Sequence, residues 1–121
     1  MSNALNWFEI PASDIKRASK FYGTILGAEL DISDAMPGYQ MAMLPAEDGV
    51  GGALIQGDGY SPSAEGTMVY LNGGQDLTVP LGKVEGAGGK ILVPKTDIGE
   101  NGFFAYFLDS EGNKVGLHST G

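Results

Sequence analysis

Two residues stand out as candidates for moving a proton: Glu9, one of fifteen Asp and Glu, and His118, the single histidine. Each lies in a short alternating segment, "WFEIP" at residues 7–11 and "NKVGLHS" at residues 113–119. In such a segment every second side chain shares a face, so Trp7 and Glu9 stand together, as do Gly116 and His118. A carboxylate placed this way can act as a general base or hold a cationic group, and an imidazole can act as acid or base. The plainer readings are a carboxylate satisfied by a neighbouring hydroxyl or amide, and a half-exposed histidine in a fraying terminal strand. With no cysteine and one histidine, a nucleophile–base pair has little material. "EGAGGKI" lacks the glycine spacing and the hydroxyl residue of a phosphate loop. "GVGGAL" lacks the spacing and strand-to-helix context of a dinucleotide fingerprint.

The segments that must position these residues recur in one order. "WFEIP" reads as a strand, and "SDIKRASKFYGTILG" switches to helical spacing. There Ile15, Ala18, Tyr22, Ile25 and Leu26 form a stripe, with Asp14 or Ser13 as N-cap and Gly27 as terminator. "AELDIS", "YQMAML" and "GGALIQ" read as strands. After the loop "GDGYSPSAEG" the order repeats: strand "TMVYLN", helix "DLTVPLGKVEGAGG", strands "KILVPK", "GFFAYFLD" and "NKVGLHS". Pro80 belongs in the first turn of that second helix. Asp14 leads to Gly27, and Asp76 leads to Gly89, each after thirteen residues. Two such units, each apolar on one sheet face, need each other for cover. The expected fold is α+β: two β-α-β-β-β modules whose curved mixed sheet faces a cavity. Residues 1–121 form one domain, with module one at about 5–57, a loop at about 58–66 and module two at about 67–119.

Seven Lys and Arg against fifteen Asp and Glu give a net charge of −8. That balance leaves no cationic surplus to displace phosphate counterions, so no nucleic-acid partner is expected. No uncharged apolar run reaches membrane-spanning length, and the opening residues lack a signal-peptide pattern, so no membrane partner is expected either. Absence of cysteine fits a reducing cytoplasm, the expected compartment.

"WFEIPASDIKRASKFYGTILG", "VYLNGG" and "GKVEGAGGKILVPKTDIGENGFFAYFLDSEGNKVGLHS" resemble the vicinal oxygen chelate superfamily, the glyoxalase, bleomycin-resistance and dioxygenase group. The resemblance runs from about Trp7 to Ser119. It implies that metal-dependent relatives place ligands on the first and last strand of each module. Those positions fall here on Trp7, Gly52, Met68 (or Val69) and Gly116. Such residues cannot assemble the nitrogen and oxygen shell of a divalent ion, so no metal and no other cofactor is expected. The resemblance further implies a metal-independent small-molecule binding protein, its ligand cationic or aromatic and held between modules, commonly in a homodimer. Trp7, Glu9, Gly52, Leu54, Met68, Tyr70, Gly116 and His118 are the expected lining. The second reading is an enzyme, a lyase, isomerase or dioxygenase, with Glu9 and His118 as its catalytic residues.

Overall fold

The computed structural model describes residues 3–121. The first module runs β1 (Trp7–Pro11), α1 (Ile15–Leu26), β2 (Ile32–Ser33), β3 (Gln40–Met43) and β4 (Gly51–Gln56). The second runs β5 (Tyr70–Asn72), α2 (Thr78–Leu81), β6 (Lys90–Asp97), β7 (Phe103–Leu108) and β8 (Lys114–Ser119). Each module makes its own four-stranded mixed sheet, ordered β1-β4-β3-β2 and β5-β8-β7-β6. In both, the first strand lies parallel to the last, and the other pairs are antiparallel.

Both sheets turn one face into a shared core. Ile10, Ala42 and Leu54 from the first sheet and Leu71, Ala105, Phe107, Val115 and Leu117 from the second meet there. Helix α1 supplies Ile15, Ala18, Phe21, Tyr22 and Ile25, the apolar stripe of its sequence. The rings of Phe21 and Phe107 lie 5.8 Å apart, so the first helix packs on the second module's sheet as well as its own. Burying each of these large side chains contributes about 1.5–3 kcal/mol. The Asp14 side chain accepts from the N–H groups of Lys16 and Arg17, and Gly27 ends α1 at φ 68°.

Three elements are shorter than their patterns suggest. "AELDIS" pairs only at Ile32–Ser33, where both residues are exposed and acidic neighbours favour water. "TMVYLN" forms a strand only at Tyr70–Asn72, although Gly116 N–H still reaches Val69 O at 2.8 Å. The second helix stops at Leu81 and continues as single turns, such as Lys83 N–H to Pro80 O and Val84 N–H to Leu81 O. Pro80 donates nothing, and the glycines at 82, 86 and 88 weaken helical continuation.

The turn between β7 and β8 fastens the modules together. Asp109, buried, accepts the Tyr22 hydroxyl (2.7 Å), Asn113 Nδ2 (2.9 Å) and the N–H groups of Glu111 and Asn113. Asn113 Nδ2 also donates to Pro11 O, and its Oδ1 accepts Ser63 N–H. Glu111 Oε1 accepts the N–H groups of Ser13 and Asp14, both at 2.8 Å, and Arg17 binds both carboxylate oxygens. Burial pushes the Glu111 carboxyl up, but its bonds from Arg17, Asp14 N–H and Ser110 outweigh that and leave it lowered. Burial beside Asp109 pushes the Tyr22 phenol well up, so it remains a donor.

Candidate functional site

Away from the core, each sheet has an outer face. On the second sheet the alternation places Tyr70, Asn72, Phe104, Tyr106, Gly116 and His118 together, in the register Tyr70–Gly116–Tyr106 and Asn72–His118–Phe104. All but Gly116, which lies beneath the Tyr70 ring, line an open cleft of about 1250 Å³ together with Ile98, Glu100 and Asn101. Tyr70 is 49% exposed. Its ring lies across Gly116: a Cβ there would come within 2.6 Å of Tyr70 Cδ2. The glycine thus serves close packing of an aromatic ring, and the strand carries it for that reason. The Tyr70 and Tyr106 hydroxyls are 2.8 Å apart, a bond that, with some burial, raises the Tyr70 pKa. Phe104 continues the floor, 5.0 Å from the Tyr106 ring, and Lys114 Nζ lies 5.8 Å over Tyr106.

His118 Nε2 lies 2.6 Å from the carbonyl oxygen of Asn101. A carbonyl only accepts, so Nε2–H is the donor, which selects the tautomer of an uncharged ring with Nδ1 as its acceptor.

On the first sheet, Trp7 and Glu9 share the outer face as their alternation requires. Glu9 Oε1 accepts the Tyr60 hydroxyl at 3.0 Å, and Trp7 Nε1 lies 3.4 Å from Oε2. Tyr60 comes from the loop that follows β4 and meets Tyr39 edge-on, ring centroids 5.9 Å apart. A groove of about 740 Å³ runs between the β1 and β5 edges, lined among others by Phe8, Glu9, Gly52, Met68 and Tyr70.

Several expected positions move. Leu54 is fully buried in the hydrophobic core, opposite Ala42, and lines no ligand surface. Gly52 faces the core side, where a Cβ would strike the Phe8 ring at 2.5 Å. The module-one counterpart of Gly116 is Ala53, not Gly52. Ala12 N–H bonds to Ile55 O as Gly73 N–H bonds to His118 O, and counting back two residues gives Ala53 and Gly116. The sequence count went astray because the β3–β4 connection is longer than the β7–β8 turn. Met68 remains the counterpart of Trp7 on this register. Glu9 and His118 are not brought together: they stand on different sheets, line different cavities and have different partners. A paired acid and base within one chain is therefore corrected.

Phe104, Tyr106 and Asn72 are site residues that the sequence reading did not single out. The alternation in "GFFAYFLD" carries the signal for the first two, once the "DSEGN" turn fixes Tyr106 opposite Gly116. Among the described residues no three His, Cys, Asp or Glu side chains gather in a way that could hold a metal ion. Trp7, Ala53, Met68 and Gly116, at the corrected positions, offer no oxygen or nitrogen donor set for one.

The family model for the Glyoxalase/Bleomycin resistance protein/Dioxygenase superfamily matches residues 4–117. "Putative glyoxylase CFP32" of Mycobacterium bovis is 31% identical over 120 residues, covering 93% of this chain and 44% of that protein; its Mycobacterium tuberculosis namesake matches equally. Glyoxalase I from Zea mays superposes with a TM-score of 0.70 at 27% identity, over 96% of this chain and 46% of that one. A glyoxalase/bleomycin resistance protein from Albidiferax ferrireducens shares the fold at TM-score 0.69 and 16% identity, covering 95% and 97% of the two chains. The chain thus spans about half the length of the curated relatives and of the maize enzyme.

Proposed function

The chain belongs to the Glyoxalase/Bleomycin resistance protein/Dioxygenase superfamily, and from that premise we propose that it binds a flat small molecule without a divalent metal. The observation that carries this reading is the aromatic floor of the second module, Tyr70 lying across Gly116 with its hydroxyl on Tyr106. A ring stacked there gains apolar and aromatic contact, while Asn72, Glu100 and His118 Nδ1 at the rim select polar substituents. Trp7, Ala53, Met68 and Gly116 supply no set of metal donors, which supports a reading in which rings and hydrogen bonds do the recognition.

An open floor shields only one side of a ligand. Trp7 (41% exposed) and Met43 (59%) on the first sheet, with Tyr70 on the second and Ile98 (41%) just past β6, are apolar surface without cover in one chain. Two copies that set the outer face of one first module against the outer face of the other's second module would close the site. A homodimer working in the cytoplasm is the assembly we propose. Among the described residues no helix is long and apolar enough to cross a membrane.

The test is a thermal-shift series with flat neutral aromatics such as 2-naphthol. A ligand preferring the native state raises the midpoint, and Tyr70→Ala should abolish that rise. A Tyr70→Ala protein that responds like the parent refutes the floor as the binding surface. Near-stoichiometric transition metal in protein purified without chelator refutes the metal-free reading.

A further inference from the structure

Glu9 is oriented but not neutralised. Its two recorded partners, the Tyr60 hydroxyl and Trp7 Nε1, are neutral donors, and among the described residues no Lys or Arg lies within ion-pair distance of it. Both donors belong to aromatic side chains, and Tyr39 adds a third ring nearly perpendicular to Tyr60, at 88°. The Tyr60 pKa is raised, first by its bond to Glu9, so the phenol stays protonated and keeps the carboxylate aimed. Glu9 and Trp7 are both exposed on the outer face.

Consider what such a corner accepts. An anion meets the carboxylate and a chain of net charge −8. A neutral apolar group desolvates the carboxylate with nothing in return. A strongly hydrated point charge gains little from the rings. A methylated ammonium does what the others cannot, because its charge answers Glu9 while its methyl groups lie against the aromatic rings.

We infer that Glu9, Trp7, Tyr60 and Tyr39 form a recognition site for a methylated or quaternary ammonium group. The inference rests on the binding reading above in treating the outer faces as ligand surfaces, and adds the ligand's charge and where that charge sits. In the paired arrangement the ligand has a flat body on Tyr70 and Tyr106 and an ammonium head at Glu9.

Trp7 is the only tryptophan, so indole fluorescence reports on the corner directly. The probes are choline and its neutral carbon isostere dimethylbutanol. Choline should change the emission saturably and bind at least about tenfold more tightly than the isostere, the size expected of a partly desolvated cation–ring contact. Glu9→Gln keeps an acceptor for Tyr60 and removes the charge, and should weaken choline by about tenfold. Equal affinity for the two probes overturns the inference. So does a Glu9→Gln protein that binds choline like the parent, or a parent that shows no saturable response. The two readings fail separately: 2-naphthol binding without choline preference removes the cation site alone, and choline binding without any neutral aromatic removes the floor alone.

Discussion

Replacing Glu111 by alanine tests how the modules are held. In the parent its side chain is fully shielded and accepts two backbone N–H groups at 2.8 Å from the start of α1. A hydrogen bond to a charged group contributes about 1.5–3 kcal/mol when its donor stays buried, and nearer 1 kcal/mol when water can replace it. Ser13 and Asp14 are exposed, so the lower figure applies to each, and the loss is about 2 kcal/mol. Arg17, whose side chain is 53% exposed, adds a screened and much weaker contribution. With a urea slope of about 2 kcal/mol per M, the unfolding midpoint should fall by about 1 M without a change in slope. Arg17→Ala should move it markedly less, because Glu111 keeps both backbone donors. The pH dependence has a definite sign. The folded pKa of Glu111 lies below its ordinary 4.5, so its contribution is present above that value and disappears as pH falls through the folded one. Parent and Glu111→Ala stabilities should therefore converge in acid. If Arg17→Ala costs as much as Glu111→Ala, or the gap persists in acid, the capping account is wrong.

Two further outcomes are expected. Tyr22→Phe removes one of four donors to Asp109 and should cost about 1–2 kcal/mol in urea unfolding, while Asp109→Ala, which strands the Tyr22 hydroxyl and the turn's N–H groups, should cost more. Asp76 is held at about 2 by the Thr78 hydroxyl first, then Thr78 N–H and Lys95. Its carboxyl carbon should titrate there by NMR, and Thr78→Val should raise that value more than Lys95→Ala, with the associated stability lost as pH falls from 3.8 towards 2.

Much of the fold was legible because period and punctuation agree. The α1 stripe, its Asp14 cap and its Gly27 end were all in the sequence, and the structure has each. The repeated order of elements predicted the two modules. What the sequence hid was register. Gly52 and Ala53 differ by one residue, and in a strand one residue exchanges the core face for the outer face. Leu54 was misplaced by the same parity. The clasp was hidden for another reason: Tyr22 read as an apolar stripe residue, and nothing local to either segment announces that its hydroxyl meets Asp109. Tyr60 lies in the segment "GDGYSPSAEG", whose composition marks a loop, and only the folded loop brings it to Glu9.

The turn at Asp109–Asn113 closes contacts to β1 and α1 across 87 to 102 residues of chain. Helix α1 is synthesised early, yet the groups that hold its first turn and its buried tyrosine come from the last hairpin. The first module, though it owns a full set of strands, completes these contacts only once the second has turned back on it. Repeat units that look modular in sequence are here a single cooperative folding unit, slow to nucleate because its contacts are so distant. Until the second module is made, Phe21 lacks the Phe107 ring and Tyr22 lacks the Asp109 carboxylate, contacts that only the later strands supply.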